Sequence, residues 1–202
     1  MREAYQRFLN DFQICGTDNE FSSLNGPPLV EVVRRLMLAH SLPYDADTLA
    51  TKYFGIIDQL YSGVSPAHGA RQLLLTAKSQ GCLVSVVTSN SANRTSTWLT
   101  RVGLAQFVDF IISGEQVKYG KPDPEPYLLA SRKVGYPVDR IIAIEDSIQG
   151  ATSAIGAGLY TYLLTSVCNE PIACEGAVQA LSLEQITVDV WGVVDFPKSA
   201  KR

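Results

Sequence analysis

The sequence predicts an α/β fold, a parallel sheet flanked by helices on both faces, preceded by a small N-terminal helical domain. Three observations predict it. Between Arg2 and Ala67 the apolar residues recur at helical spacing. From His68 onward, short runs rich in β-branched residues alternate with helical stretches, the rhythm of βαβ units, which puts the domain boundaries at 1–67 and 68–202. Thr88, Glu145 and Asp146 stand where those runs end, and open parallel sheets take their ligands at strand C-termini.

In the helical part, Tyr5, Phe8, Leu9 and Phe12 form one amphipathic stretch, and Leu29, Val32, Val33, Leu36 and Met37 form another. Asn25-Gly26 is turn chemistry, and Pro27 and Pro28 suit a helix entry, where a missing N–H costs nothing. His68 to Gln80 reads as a helix stopped by Gly81. "CLVSVVT" (82–88) follows as a buried strand, and "SNSANRTSTWLTRVG" (89–103) supplies Ser and Asn caps, a helix carrying Trp98, Leu99 and Val102, and a glycine stop. "FVDFIISG" (107–114) is the next strand. Pro122, Pro124 and Pro126 open a helix that runs through Tyr127, Leu128 and Leu129 to Gly135. "RIIAIED" (140–146), a helix over 147–158 and "LYTYLLT" (159–165) complete the alternation. "ITVDVWGVVD" (186–195) reads as strand-like, a terminal strand or tail.

Composition narrows the function classes. With 202 residues, 46% hydrophobic and 18% charged, the chain is long enough for one core and a small second domain. A net charge of −3 without long charged blocks gives no footprint for nucleic acid or a membrane surface, so a small molecule is the expected partner and the oligomeric state stays open. The four cysteines form no CxxC pair and there are two histidines, which excludes a well-spaced zinc set and predicts buried or idle thiols. No apolar stretch reaches the roughly 18 residues of a membrane helix, and Met1 is followed by Arg2 and Glu3, not by an apolar leader, so the expected location is cytoplasmic.

The strand ends collect a particular chemistry. A hydroxyl at Thr88, an ammonium at Lys121 and carboxylates at Glu145 and Asp146 fall on one predicted rim. Hydroxyl and ammonium groups donate to phosphoryl oxygens, while carboxylates suit a hard cation such as Mg²⁺. Together they describe a metal-assisted phosphate site.

"VVTSNS" (86–91), "KYGKPDPEPY" (118–127) and "IEDSIQGATSAIGAG" (144–158) resemble, in this order, the second, third and fourth motifs of the haloacid dehalogenase (HAD)-like hydrolase superfamily. Thr88 and Lys121 are 33 residues apart, and Lys121 and Asp146 are 25, which also fits. The N-terminal helices, with "SSLNGPPLVEVV" (22–33), are similar to the helical cap of its phosphatase and phosphosugar-mutase branch. The resemblance therefore implies a HAD-like Rossmannoid core and a small phosphorylated metabolite, such as a sugar phosphate, as substrate. It makes Thr88, with the backbone N–H of Ser89, a donor to phosphate oxygens. Lys121 would neutralise the phosphate and the attacking carboxylate, and Glu145 and Asp146 would hold Mg²⁺. Asn25 and Gly26 fall in the loop that resembles the family's substrate-specificity loop.

One part of the pattern is missing from the sequence. The family opens with an apolar strand ending in Asp-x-Asp-Gly, whose first aspartate attacks phosphorus, and this chain begins inside what resembles the first cap helix. The expectation is therefore an incomplete core without its central first strand, weak Mg²⁺ binding and doubtful hydrolysis. Asp189 in the 186–195 run is the one considered replacement, by a permuted strand. Three readings follow: a phosphatase or mutase whose first strand lies upstream of Met1, a non-catalytic binder of phosphorylated ligands or of a protein partner, and a degenerate product. Other features have plain explanations: Gly150, Gly156 and Gly158 as packing and capping glycines, Lys118, Arg94 and Arg101 as solvated charges, and Ser89 with His68 as no catalytic triad.

Overall fold

The computed structural model describes residues 1–24, 29–165 and 174–192. The helical domain contains α1 (Arg2–Asn10), α2 (Asp18–Ser23), α3 (Leu29–His40) and α4 (Ala46–Ser62). Its core joins residues of the two apolar faces read from the sequence, Tyr5, Phe8, Leu9, Val33 and Leu36, to Leu49 and Ile57 of α4, which the sequence reading did not single out, and all seven are almost wholly buried. Phe8 is the hub, with its ring edge-on to Tyr53 at 5.0 Å and to Phe12 at 5.3 Å. Thr17 caps α2 by accepting from the Glu20 N–H, and Asp45 caps α4 by accepting from Asp47 and Thr48. Gly16 is required where it stands, because a Cβ there would lie 2.2 Å from the Tyr5 hydroxyl oxygen.

The second domain alternates strand and helix as expected: α5 (Ala70–Ser79), β1 (Ser85–Val87), α6 (Ala92–Arg101), β2 (Phe110–Ile112), α7 (Glu125–Val134), β3 (Ile142–Glu145), α8 (Ile148–Gly156) and β4 (Tyr160–Leu164). It continues with β5 (Ala177–Ala180) and α9 (Leu183–Trp191). All strand pairs are parallel, β1 with β2 and β3 with β4 with β5. Successive side chains of a strand point to opposite faces. Val86 accordingly packs on the α6 side with Leu99, Leu104 and Phe107, and Val87 on the α7–α8 side with Tyr127, Ala143 and Ala154. α5 and α9 cover Tyr162 and Leu164 of β4.

Among the described residues, the strands form two sheets, β1-β2 and β3-β4-β5, and β1 and β3 are not hydrogen-bonded to each other. The expectation of a core without its central strand concerned this position between β1 and β3.

The C-terminal segment departs from the sequence reading. The segment 186–195, whose pattern is strand-like, is helical as far as Trp191, and 193–195 lie outside the described residues. The alternation of Ile186, Val188 and Val190 mimics a strand, but Leu183, Ile186 and Val190 at helical spacing face Tyr162, Leu164 and Ala180, and Ser182 caps the helix through the Gln185 N–H. Tertiary burial decides the period here. Asp189 therefore sits on a helix, and the permuted-strand site does not form. β5 has no counterpart in the sequence reading, and Cys15, one of the thiols expected to be buried or idle, is free and exposed, which removes burial and leaves the idle alternative for it. Cys168 lies outside the described residues.

Two carboxylates hold loop backbone in the second domain, and its stability is expected to depend on their ionisation. Asp109 accepts from Lys78 and from the Val84 N–H, and Glu125 accepts from the Lys118 and Tyr119 N–H groups. Those bonds hold both carboxyls below their ordinary values of 3.8 and 4.5. A depressed native value means that the native state binds fewer protons than the unfolded one. Their contribution is thus fully present above about pH 5 and is lost as pH falls through the native values. Urea midpoints measured between pH 6 and pH 3 are expected to fall steadily below pH 5, with a shallower fall in Glu125→Gln.

Candidate active site

The rim is built at the ends of β1 and β3. β1 runs into Thr88, whose N–H still donates to the Ile112 carbonyl at 2.9 Å, so the residue is fixed by the sheet. Its Oγ1 accepts from the Asn90 N–H at 3.1 Å, which leaves the hydroxyl proton to donate elsewhere. Gly114 lies against this loop: a Cβ there would come within 2.7 Å of the Ser89 carbonyl oxygen. Glycine lets the end of β2 support the loop closely. Ser91 and Glu115 then accept from the first N–H groups of α6, fixing where the helix begins.

Lys121 comes from the loop before α7. Glu125 pins that loop through the Lys118 and Tyr119 N–H groups at 3.0 and 2.7 Å, and Ser153 of α8 donates to the Asp123 carbonyl at 2.6 Å. The Lys121-Pro122 peptide is cis. The Lys121 ammonium then donates to the Val87 carbonyl at 3.0 Å and to Glu145 Oε1 in a close ion pair. It bridges β1 and β3. Side-chain exposures of 11% for Lys121 and 7% for Glu145 make this a buried pair, in contrast to solvent-exposed bridges such as Arg2–Asp18 and Arg7–Glu3 in the helical domain.

Glu145 has a second donor that the sequence reading did not assign. The Tyr127 hydroxyl donates to the same Oε1, and the Lys121 ammonium lies 5.3 Å from the Tyr127 ring centre. Burial, and then the Glu145 charge, push the Tyr127 hydroxyl far above the ordinary tyrosine value, so it stays protonated and a donor. The only sequence signal was a tyrosine on an apolar helix face, since a buried tyrosine hydroxyl needs a partner. Asp146, next in sequence, is exposed on the rim. Its charge is a lesser contributor to the raised values of Tyr127 and of Tyr61 in α4, which places it near both domains.

A cavity of about 370 Å³ opens above this rim. Thr88, Ser89, Asn90, Lys121, Ser147 and Gln149 line its sheet side, and Phe21, Leu24, Leu29, Val32, Tyr53, Ile57 and Tyr61 its helical side. The structure thus brings Thr88, Ser89 and Lys121 to one cavity, with Glu145 bonded to Lys121. Asn25 and Gly26 lie outside the described residues, and the residues flanking that stretch, Leu24 and Leu29, line the cavity. Burial pushes the Tyr53 hydroxyl up to about 12, so the helical wall presents no ionised tyrosine at neutral pH.

The donor set for a divalent cation is thin. Glu145 already accepts from Lys121 and Tyr127, and among the described residues no three His, Cys, Asp or Glu side chains converge as a metal site. Two carboxylates do not by themselves satisfy the octahedral demand of Mg²⁺. The sequence's one Asp-x-Asp pair, Asp45 and Asp47, belongs to the N-terminus of α4, where Asp45 is the cap. His68 pairs with Glu184 of α9 at 2.6 Å. Arg94, expected to be a solvated charge, is instead partly buried against Asp58 and Asn90.

Comparisons with known proteins identify the family and the fold. The family model described as haloacid dehalogenase-like hydrolase matches residues 1–164. A phosphorylated carbohydrates phosphatase of Thermotoga maritima is 27% identical over 158 residues, 78% of this chain and 73% of its own. A 6-phosphogluconate phosphatase of Escherichia coli K12 is 26% identical over 191 residues, 93% of this chain and 85% of its own. Among solved structures, CbbY from Rhodobacter sphaeroides in complex with phosphate is similar at a TM-score of 0.72 and 25% identity, covering 90% of this chain and 86% of that one. The β-phosphoglucomutase of Clostridium difficile shares the fold at a TM-score of 0.74 and 19% identity, covering 92% and 84%.

Proposed function

This chain belongs to the haloacid dehalogenase-like hydrolase family, and from that premise we propose that its rim binds the phosphate group of a small phosphorylated metabolite of the sugar-phosphate class and serves hydrolysis or transfer of that phosphate. The observation that carries the reading is the placement of Lys121, an ammonium fixed between the Val87 carbonyl and Glu145 on the floor of a cavity whose other polar residues include Thr88 and Ser89. The named activities of the relatives, on phosphorylated carbohydrates and 6-phosphogluconate, and the phosphate in the CbbY complex support the substrate class.

In this reading the Thr88 hydroxyl and the Ser89 N–H donate to phosphate oxygens, and the Lys121 ammonium balances their charge. Tyr127 and Glu145 orient Lys121 and do not touch the phosphate. Mg²⁺ enters through the family's phosphatases, which generally use it, and would be held by Asp146 and Glu145 together with ligands beyond these two side chains. Bound there, it would supply charge neutralisation of the phosphate oxygens.

A second reading is favoured by the separation of β1 and β3 and by the helical placement of Asp189: residues 1–202 bind a phosphorylated ligand without turning it over. The attacking carboxylate that the resemblance implies belongs between those two strands. Hydrolysis of a panel of sugar phosphates with Mg²⁺ separates the readings, using residues 1–202 and the same chain extended N-terminally by an apolar strand ending in Asp-x-Asp-Gly. Turnover by the extended chain alone supports the phosphatase reading with the nucleophile on that strand. Binding without turnover in either protein supports the second reading. Neither binding nor turnover contradicts both.

A further inference from the structure

We propose that Arg94 is a positioning residue that couples the helical domain to the phosphate-binding loop, so that the seating of α4 on the core sets the geometry of Ser89 and Asn90. The inference rests on the reading of 88–90 as that loop. Arg94 is in the first turn of α6, which grows directly out of the loop. Its guanidinium forks onto the Asp58 carboxylate of α4, with Nε on Oδ1 and Nη2 on Oδ2, the latter at 3.2 Å. Its third nitrogen, Nη1, donates to Asn90 Oδ1 at 3.4 Å. The same side chain lies over the Phe54 ring of α4 at 5.2 Å.

Asn90 passes the contact on. Its Oδ1 also accepts from the Ser91 N–H at 3.0 Å, and its own N–H donates to Thr88 Oγ1 at 3.1 Å. A chain of hydrogen bonds thus runs from Asp58 through Arg94 and Asn90 to the Thr88 hydroxyl. The rest of α6 reinforces the seating. Trp98 and Arg101, four and seven residues on and therefore on the same face, donate to the Val64 carbonyl at 3.1 and 2.8 Å, and Arg101 also donates to the Tyr61 carbonyl at 2.8 Å. The Arg94 side chain is 18% exposed and the Asp58 side chain 57%, so the contact is partly buried on the Arg94 and Asn90 side and open to water at the Asp58 carboxylate. Lysine cannot reproduce the arrangement, because a single ammonium lacks the planar fork that serves both domains at once.

The test uses residues 1–202 with inorganic phosphate as probe. In Asp58→Asn, a change made in the helical domain, the amide signals of Ser89 and Asn90 are expected to shift even without phosphate, and phosphate affinity to fall about fivefold. Arg94→Met is expected to reproduce both effects, the double variant to be no worse than Arg94→Met, and Arg94→Lys to restore folding stability without restoring the Ser89 and Asn90 shifts. Unmoved Ser89 and Asn90 amides in folded Asp58→Asn and Arg94→Met would overturn the coupling. Because the amide shifts are read without ligand, failure of the native chain to bind phosphate would count against the phosphate site and leave the coupling measurable.

Discussion

Lys121→Met is expected to lower unfolding free energy by about 3 kcal/mol, read from urea midpoints at pH 7. The cause is the residue left behind. Glu145 is 8% exposed and accepts from two donors, Lys121 and Tyr127. Removing the ammonium leaves a buried carboxylate with the Tyr127 hydroxyl as its remaining side-chain donor, and the Val87 carbonyl loses its lysine donor at 3.0 Å as well. Lys121→Met/Glu145→Met/Tyr127→Phe removes both charges together with the buried hydroxyl that would otherwise lose its acceptor, and is expected to recover most of the loss, since apolar side chains replace a desolvated pair at little cost. A loss below about 0.5 kcal/mol in Lys121→Met would mean that the pair behaves as a surface bridge.

Gly150→Ala is expected to destabilise by about 2 kcal/mol and to disturb the same carboxylate. Position 150 is inside α8, where alanine is ordinarily better than glycine by about 1 kcal/mol. Here the added Cβ would lie 2.0 Å from Glu145 Oε2 and 2.2 Å from its Cδ, and Glu145 cannot swing away without leaving Lys121 and Tyr127. Gly55 is the internal control, a helical glycine with nothing within 4 Å of the added Cβ. Gly55→Ala should therefore stabilise while Gly150→Ala destabilises. In a Glu145→Ala background, Gly150→Ala should become neutral or stabilising, and persistence of the full cost there would place its cause elsewhere.

Much of this architecture was legible in the sequence because its signals were local. Ser91 and Ser147 cap α6 and α8, Gly103 and Gly135 adopt positive φ after α6 and α7, and the short strands carry the β-branched runs that buried parallel strands favour. Thr88 and Glu145 were readable because each stands at a strand end, where a parallel sheet exposes its binding edge, and Lys121 because it lies in the loop that leads into α7 on the same rim. What escaped depends on partners distant in the chain. α9 looked like a strand because its β-branched residues alternate, and only the sheet beneath it selects Leu183, Ile186 and Val190 as the buried face. Tyr127 looked like one more apolar helix residue until its hydroxyl met Glu145. Arg94 looked like a solvated charge, since nothing local marks Asp58, 36 residues earlier, as its partner.

Phosphate binding at Thr88, Ser89 and Lys121 is decided by a single titration. Inorganic phosphate added to ¹⁵N-labelled residues 1–202 is expected to shift the amide signals of Thr88, Ser89 and Asn90 saturably, with an affinity about tenfold or more weaker in Lys121→Met, as loss of a charge-assisted hydrogen bond implies. An absence of shifts at those amides, or saturable shifts of equal affinity in folded Lys121→Met, would contradict it.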